Sequence, residues 1–222
     1  MNGAAQLLNE SSVVLLDFDG PVTPLMPAPA NMHAADAARQ AITAHGATPP
    51  DDIATTSDHL AVLRWAGVHA PDALADVEAA CTSAEVESAH ACVPTPGAHA
   101  LLEALYESEI LVVIVSNNGE SAIDTYIRRH QLGTRVYDVV GRPPMRPDLM
   151  KPDPYIIKLA LEATWANTRS TVLIGDSVSD IEVAVTTGIR SIGYAKTPRR
   201  GAELREAGAD AVTDNMLSLV EP

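Results

Sequence analysis

The sequence predicts a doubly wound α/β fold, a parallel sheet with helices on both faces, into which a small all-helical domain is inserted near the N-terminus. Short apolar runs, Val13-Val14-Leu15-Leu16, Leu111-Val112-Val113-Ile114-Val115 and Thr171-Val172-Leu173-Ile174, are each followed closely by polar residues. That is the pattern of strands buried on both faces. From Gly97 onward such runs alternate with helical segments, the rhythm of a parallel sheet. Two proline-containing links, Pro21 to Pro29 and Val93-Pro94-Thr95-Pro96-Gly97, bracket a stretch with no strand-like run.

Residues 13–16 read as the first strand, far too short to cross a membrane. After the first link, helices are expected over 34–45, 52–65 and 72–91, separated by Gly46-Ala47-Thr48-Pro49-Pro50 and by residues 67–71. Past Gly97 the expected order is a helix to about residue 107, strand 111–115, helix 120–131, strand 136–140, helix 154–165 and strand 171–174. Helix 179–187, strand 190–194, helix 201–207 and a short strand at Ala211-Val212 complete it. This divides the chain into a discontinuous core, 1–21 and 96–222, and a helical cap, 22–95.

The 222 residues suffice for a sizeable core, and with 46% hydrophobic but only 4% aromatic residues, aliphatic side chains must fill it. Fifteen Lys and Arg against 29 Asp and Glu leave a formal charge of −14, which opposes nonspecific nucleic-acid binding. No run approaches eighteen apolar residues and no basic, apolar leader opens the chain, so a cytoplasmic protein without membrane partners is expected. Cys81 and Cys92 would lie roughly 16 Å apart on one straight helix, beyond the reach of a disulfide, and are read as free thiols. The seven histidines form no metal-binding spacing and are read as surface or partly buried rings.

Four patches carry the chemistry: Asp17-Phe18-Asp19-Gly20-Pro21-Val22, Ser116-Asn117, Lys151-Pro152-Asp153-Pro154, and Gly175-Asp176-Ser177-Val178-Ser179-Asp180. In an open α/β sheet, groups at strand C-termini converge where ligands bind. In order and strand context these patches resemble the four motifs of the haloacid dehalogenase-like superfamily, within it the phosphatases whose small helical cap follows the first motif. Among these are the phosphoglycolate phosphatase-like and β-phosphoglucomutase-like branches. The resemblance spans residues 13 to 195 and implies a Rossmann-like core. Pro21 departs from it, standing where the family often carries Thr or Ser, with loss of a hydroxyl and an N–H.

Four carboxylates, Asp17, Asp19, Asp176 and Asp180, around a phosphate repel one another unless a cation sits among them. All-oxygen ligands favour Mg²⁺. The expected ligands are the side chains of Asp17 and Asp176 and the carbonyl of Asp19, with Asp180 close by. Asp17 is the expected nucleophile, forming an aspartyl-phosphate. Asp19 is the expected general acid and then base. Ser116, Asn117 and Lys151 are expected to hold the phosphoryl group.

Asp58, His59, Arg64 and Trp65 in the cap either select the substrate or belong to a solvated face or the cap's own core. Arg64 is carried forward as a substrate-binding residue. Arg142 and Arg146 either approach an anionic substrate or form an exposed basic loop. The expected activity is Mg²⁺-dependent hydrolysis of a small phosphate monoester. The alternatives are a phosphomutase, a haloacid dehalogenase, or a non-catalytic binding protein on the same fold.

Overall fold

The computed structural model describes residues 3–220. Strands β1 (Val13–Leu16), β2 (Leu111–Val115), β3 (Asp138–Val140), β4 (Thr171–Gly175), β5 (Arg190–Tyr194) and β6 (Ala211–Thr213) form one parallel sheet in the order β3-β2-β1-β4-β5-β6. The chain fills one half of the sheet, returns to the middle and fills the other. The reversal beside β1 opens a crevice beyond the strand C-termini, where such sheets bind ligands. Leu16 pairs with both Ile114 and Ile174, so residues 17, 116 and 176 leave the sheet within one or two positions of the same row.

Side chains alternate across a strand, and here both faces are covered. Val14, Leu16, Val112, Ile114, Val172 and Ile174 pack against α1 (Gly3–Asn9), α6 (Ala98–Glu107) and α7 (Glu120–Arg129). Val13, Leu15, Val113, Val115 and Leu173 pack against α8 (Tyr155–Thr164) and α9 (Val178–Thr187). Each fully buried aliphatic side chain contributes roughly 1.5–3 kcal/mol, which holds strands this short in register. The last helix, α10 (Pro198–Glu206), sets Leu204 against Ile181 and Ala195.

Between β1 and α6 lie α2 (Ala30–Ala44), α3 (Asp51–Thr55), α4 (His59–His69) and α5 (Leu74–Ala89). Ala35, Ala38, Ile42, Val62, Leu63, Ala66, Val77 and Cys81 make a hydrophobic cluster of their own, joined from the loop before Lys151 by Met150. The far end of α5 belongs to the core: Val86 and Ala89 pack into the cluster that holds α7.

Most expected elements are present within a few residues of their predicted ends, and three features differ. The helix expected over 52–65 is two helices. Between them Thr56 Oγ1 accepts the Asp58 N–H, and Asp58 Oδ1 accepts the N–H groups of Leu60 and Ala61, a cap that starts a new helix. Helix α4 also runs through Gly67, where a break is expected. A Cβ at Gly67 would sit 2.6 Å from Pro147 Cγ, so this glycine allows close approach of α4 to the loop before Lys151. Helix α1 is not anticipated from the sequence.

Among the described residues no helix is long and apolar enough to cross a membrane. Cys81 and Cys92 are free and buried, and burial pushes the Cys81 thiol up to about 12, too high for reactivity at neutral pH.

Candidate active site

At the crevice, the turn after β1 is shaped by Gly20, whose φ of +114° suits glycine and whose Cβ would fall 2.0 Å from Asp176 Oδ2. The glycine therefore lets the turn after β1 close onto the turn after β4. Thr95, in the second proline link, donates to the Gly20 carbonyl and fixes that turn from the far side.

A cleft of about 230 Å³ results, lined by Asp17, Asp19, Ser116, Asn117, Asn118, Lys151, Asp176 and Ser177 from the strand ends. The helical insertion adds Asp58, Leu60 and Arg64. All four sequence patches thus meet in one place. Carboxylate oxygens of Asp17, Asp176 and Asp180 lie within 4.8 Å of one another. The Asp19 side chain stands outside that group, its Oδ1 accepting the Leu25 N–H at 2.8 Å.

Lys151 reaches this cluster from a buried position. Its Nζ donates to Asp17 Oδ1 at 2.8 Å and to the Val115 carbonyl at 3.0 Å, and stands 2.6 Å from Asp180 Oδ1. Burial opposes the ammonium charge, but Asp17 and Asp180 outweigh it and hold the pKa above the ordinary lysine value. Asp180 is fixed by a reciprocal cap at the start of α9: Ser177 Oγ accepts the Asp180 N–H while Asp180 Oδ2 accepts the Ser177 N–H at 3.0 Å. Its Oδ1 is buried and faces the Lys151 ammonium alone.

One lysine does not neutralise this many acids. Burial, with the charge of Asp180 next, pushes Asp17 well above the carboxylate range and Asp176 up to about 7. Burial also lifts Asp19, against the opposing pull of the Leu25 N–H. Three carboxylates crowded within 4.8 Å, two of them sharing one ammonium and two of them resisting ionisation, fit a divalent cation such as Mg²⁺.

Several expected residues hold other positions than the sequence suggests. Asn117 spends its side chain on the Lys151 peptide, Oδ1 accepting the N–H at 2.7 Å and Nδ2 donating to the carbonyl at 3.1 Å. It orients Lys151, and both ends of its amide are engaged. Arg64 also donates to the Lys151 carbonyl, at 3.1 Å, while lining the cleft. Asp58 lines the cleft as the N-cap of α4, and Trp65 stacks on His69 with ring centres 5.2 Å apart.

Arg142 is a correction to both of its expected roles: its side chain is fully buried and paired with Glu78 and Glu85. Arg146 is exposed and pairs with its neighbour Asp148. His59 is likewise neither surface nor partly buried, since this first residue of α4 is buried with Nε2 2.9 Å from Glu85 Oε1. Glu85 carries no local mark in the sequence, and Asn118 is marked there by nothing beyond being the second asparagine of Asn117-Asn118.

A doubly wound sheet with a carboxylate-rich, lysine-bearing crevice at its switch point and a helical insertion after β1 defines a hydrolase-type α/β protein. The family described as haloacid dehalogenase-like hydrolase matches residues 53–194, well over half of the chain, and the protein belongs to that family. The first patch precedes the matched stretch, and the fold brings it to the others. The phosphoglycolate phosphatase of Rhodospirillum rubrum is 27% identical over 184 residues, covering 81% of this chain and 67% of that protein. The protein of the same name from Vibrio cholerae is 25% identical over 126 residues, 57% of this chain and 55% of its own length. Among solved structures, CbbY from Rhodobacter sphaeroides in complex with phosphate superposes with a TM-score of 0.67 at 19% identity. That match covers 95% of this chain and 96% of the other, a likeness of fold.

Proposed function

We propose that this hydrolase is a Mg²⁺-dependent phosphatase that cleaves a small phosphate monoester through an aspartyl-phosphate on Asp17. The observation that carries the reading is the buried pairing of the Asp17 carboxylate with the Lys151 ammonium at 2.8 Å, inside the cluster with Asp176 and Asp180 at the sheet's switch point. Relatives named phosphoglycolate phosphatase support a small phosphorylated metabolite as substrate.

Asp17, Asp176 and Asp180, with the Asp19 carbonyl, would hold the metal. When bound, Mg²⁺ supplies positive charge to the phosphoryl oxygens and relieves repulsion from the carboxylates. The Asp17 carboxylate attacks phosphorus as the bond to the leaving oxygen breaks. Asp19, whose burial favours the protonated form, gives its proton to that oxygen. The resulting carboxylate then takes a proton from water, which attacks the same phosphorus, releases inorganic phosphate and restores Asp17. Lys151 balances charge on Asp17 throughout, and Ser116 donates to a phosphoryl oxygen.

Residues 22–95 act in this reading as a cap that shields the intermediate from stray water. Arg64, the cap's cation at the cleft, meets the leaving group. A cleft of about 230 Å³ suits a compact ester. A cytoplasmic location accords with such a substrate.

Phosphate release from a panel of monoesters that includes 2-phosphoglycolate, with Mg²⁺ and with chelator, tests the reading. Metal-dependent release, lost in Asp17→Asn, is expected. An isomerised phosphate ester without free phosphate would make the protein a phosphomutase instead, and release that persists in Asp17→Asn would remove Asp17 as nucleophile.

A further inference from the structure

Behind the cleft wall lies a second buried charge cluster that the chemistry above does not use. Glu85, on α5 of the cap and without exposed surface, accepts five hydrogen bonds. Oε1 takes His59 Nε2 at 2.9 Å, Asn118 Nδ2 at 3.1 Å and Arg142 Nη1 at 2.9 Å. Oε2 takes the Gly119 N–H at 2.9 Å and Arg142 Nη2 at 3.3 Å.

Arg142, in the loop after β3, makes five donor contacts in turn: two with Glu85, and one each with Glu78, Thr82 and the Asn117 carbonyl. A guanidinium has five N–H groups, so this number leaves it little freedom to reorient. Burial would push the Glu85 carboxyl upward, but His59 and Arg142 overcome it and leave the group at about 2, ionised at any working pH.

We infer that Glu85 is a positioning residue, which sets the amide of Asn118 and through it holds the Ser116 side chain in place beside the phosphoryl site. An ionised carboxylate accepts only, so it requires the Asn118 NH₂ to face it and turns Asn118 Oδ1 the other way. That oxygen accepts from Ser116 Oγ at 3.1 Å, while the Asn118 backbone N–H donates to the same Oγ at 3.2 Å. Flipping the amide would set Oδ1 against the Glu85 carboxylate. With Oγ held by the backbone N–H, its single proton turns from Asn118 Oδ1 to an arriving phosphoryl oxygen without moving the serine. The cap thus contributes to the phosphate site from behind, through a helix that never lines it. This rests on the phosphatase reading for the role of Ser116.

Calorimetric binding of inorganic phosphate to the whole protein with Mg²⁺ tests the inference without requiring turnover. The variants are Ser116→Ala, Asn118→Ala, Glu85→Gln, and each of the last two combined with Ser116→Ala. Single variants are expected to weaken phosphate binding about ten- to a hundredfold. The doubles should bind no more weakly than Ser116→Ala alone, because all three act through one hydroxyl. Multiplied losses in the doubles, or unchanged affinity in Asn118→Ala, would overturn it, as would wild-type protein that binds no phosphate. A merely structural role lowers the melting temperature without producing this coupling. Should Glu85→Gln fail to fold, Asn118→Ala breaks the same chain of contacts and leaves both arginine ion pairs intact. Phosphate binding with coupling but no turnover would sink the phosphatase reading alone.

Discussion

Two buried clusters of acids and bases lie on opposite sides of the Ser116–Gly119 turn, and burial has opposite outcomes in them. In the cluster around Glu85, one carboxylate collects five donors and stays ionised down to about pH 2. In the cluster around Asp17, Lys151 is the close cation for three acids. Asp17 and Asp176 are driven upward, and Asp17 and Asp180 share the one ammonium. Burial is similar; the balance of charge is not. A carboxylate held by five donors holds structure, whereas an under-neutralised group of acids is set to receive a cation and an anionic substrate.

Breaking each cluster should therefore do opposite things. Glu85→Ala breaks one of the two ion pairs of the buried Arg142 and leaves His59, Asn118 and the Gly119 N–H without their acceptor, and is expected to cost about 3–5 kcal/mol of stability in urea unfolding. Asp176→Asn should instead raise the melting temperature of the metal-free protein at pH 8. An acid whose folded pKa is raised costs stability when ionised and returns it as pH falls through about 7, and the amide removes that cost. A loss of stability in Asp176→Asn would erase the contrast.

Lys151→Met should lower kcat by roughly 10²–10³-fold, the size expected when one aligned charge donor is lost from such a site. Circular dichroism on the same sample would show whether the fold persists. Asp19→Asn should lower turnover of alkyl phosphates by about 10²-fold or more and that of a nitrophenyl phosphate much less, since only the poor leaving group needs a proton. Equal losses on both would assign the acid elsewhere. The smallest effect concerns pH. With burial raising both Asp17 and Asp176, the latter to about 7, protons compete with the metal, so Mg²⁺ affinity should fall at least about tenfold per unit as the pH drops below about 7. Titrations at three pH values would check this, and a flat profile would contradict it.

The two clusters also differ in how far the sequence discloses them. Asp17, Ser116 and Asp176 each follow an apolar strand within a residue or two, and Lys151 precedes a proline, so local pattern alone marks their places. The sheet then brings them together, because strand ends in a doubly wound fold share one edge. Glu85 carries no such mark. It sits mid-helix among ordinary alternating residues, and its partners His59, Asn118 and Arg142 are 26, 33 and 57 positions away. Nothing local separates a glutamate that faces water from one that faces a buried arginine. The break at Thr56-Ser57-Asp58 was hidden for a related reason: helix period continues on both sides, and only the side-chain caps decide. Gly67 reads as a helix breaker until Pro147, eighty positions later, shows what it makes room for.

The central claim is that Asp17 carries the phosphoryl group. Rapid mixing with a ³²P-labelled substrate and Mg²⁺, acid quenching within milliseconds, and mapping of the labelled peptide tests it most directly. The expected result is hydroxylamine-sensitive label on the peptide containing Asp17, absent in Asp17→Asn. Turnover with no protein-bound label at any time, or label on another residue, would contradict it.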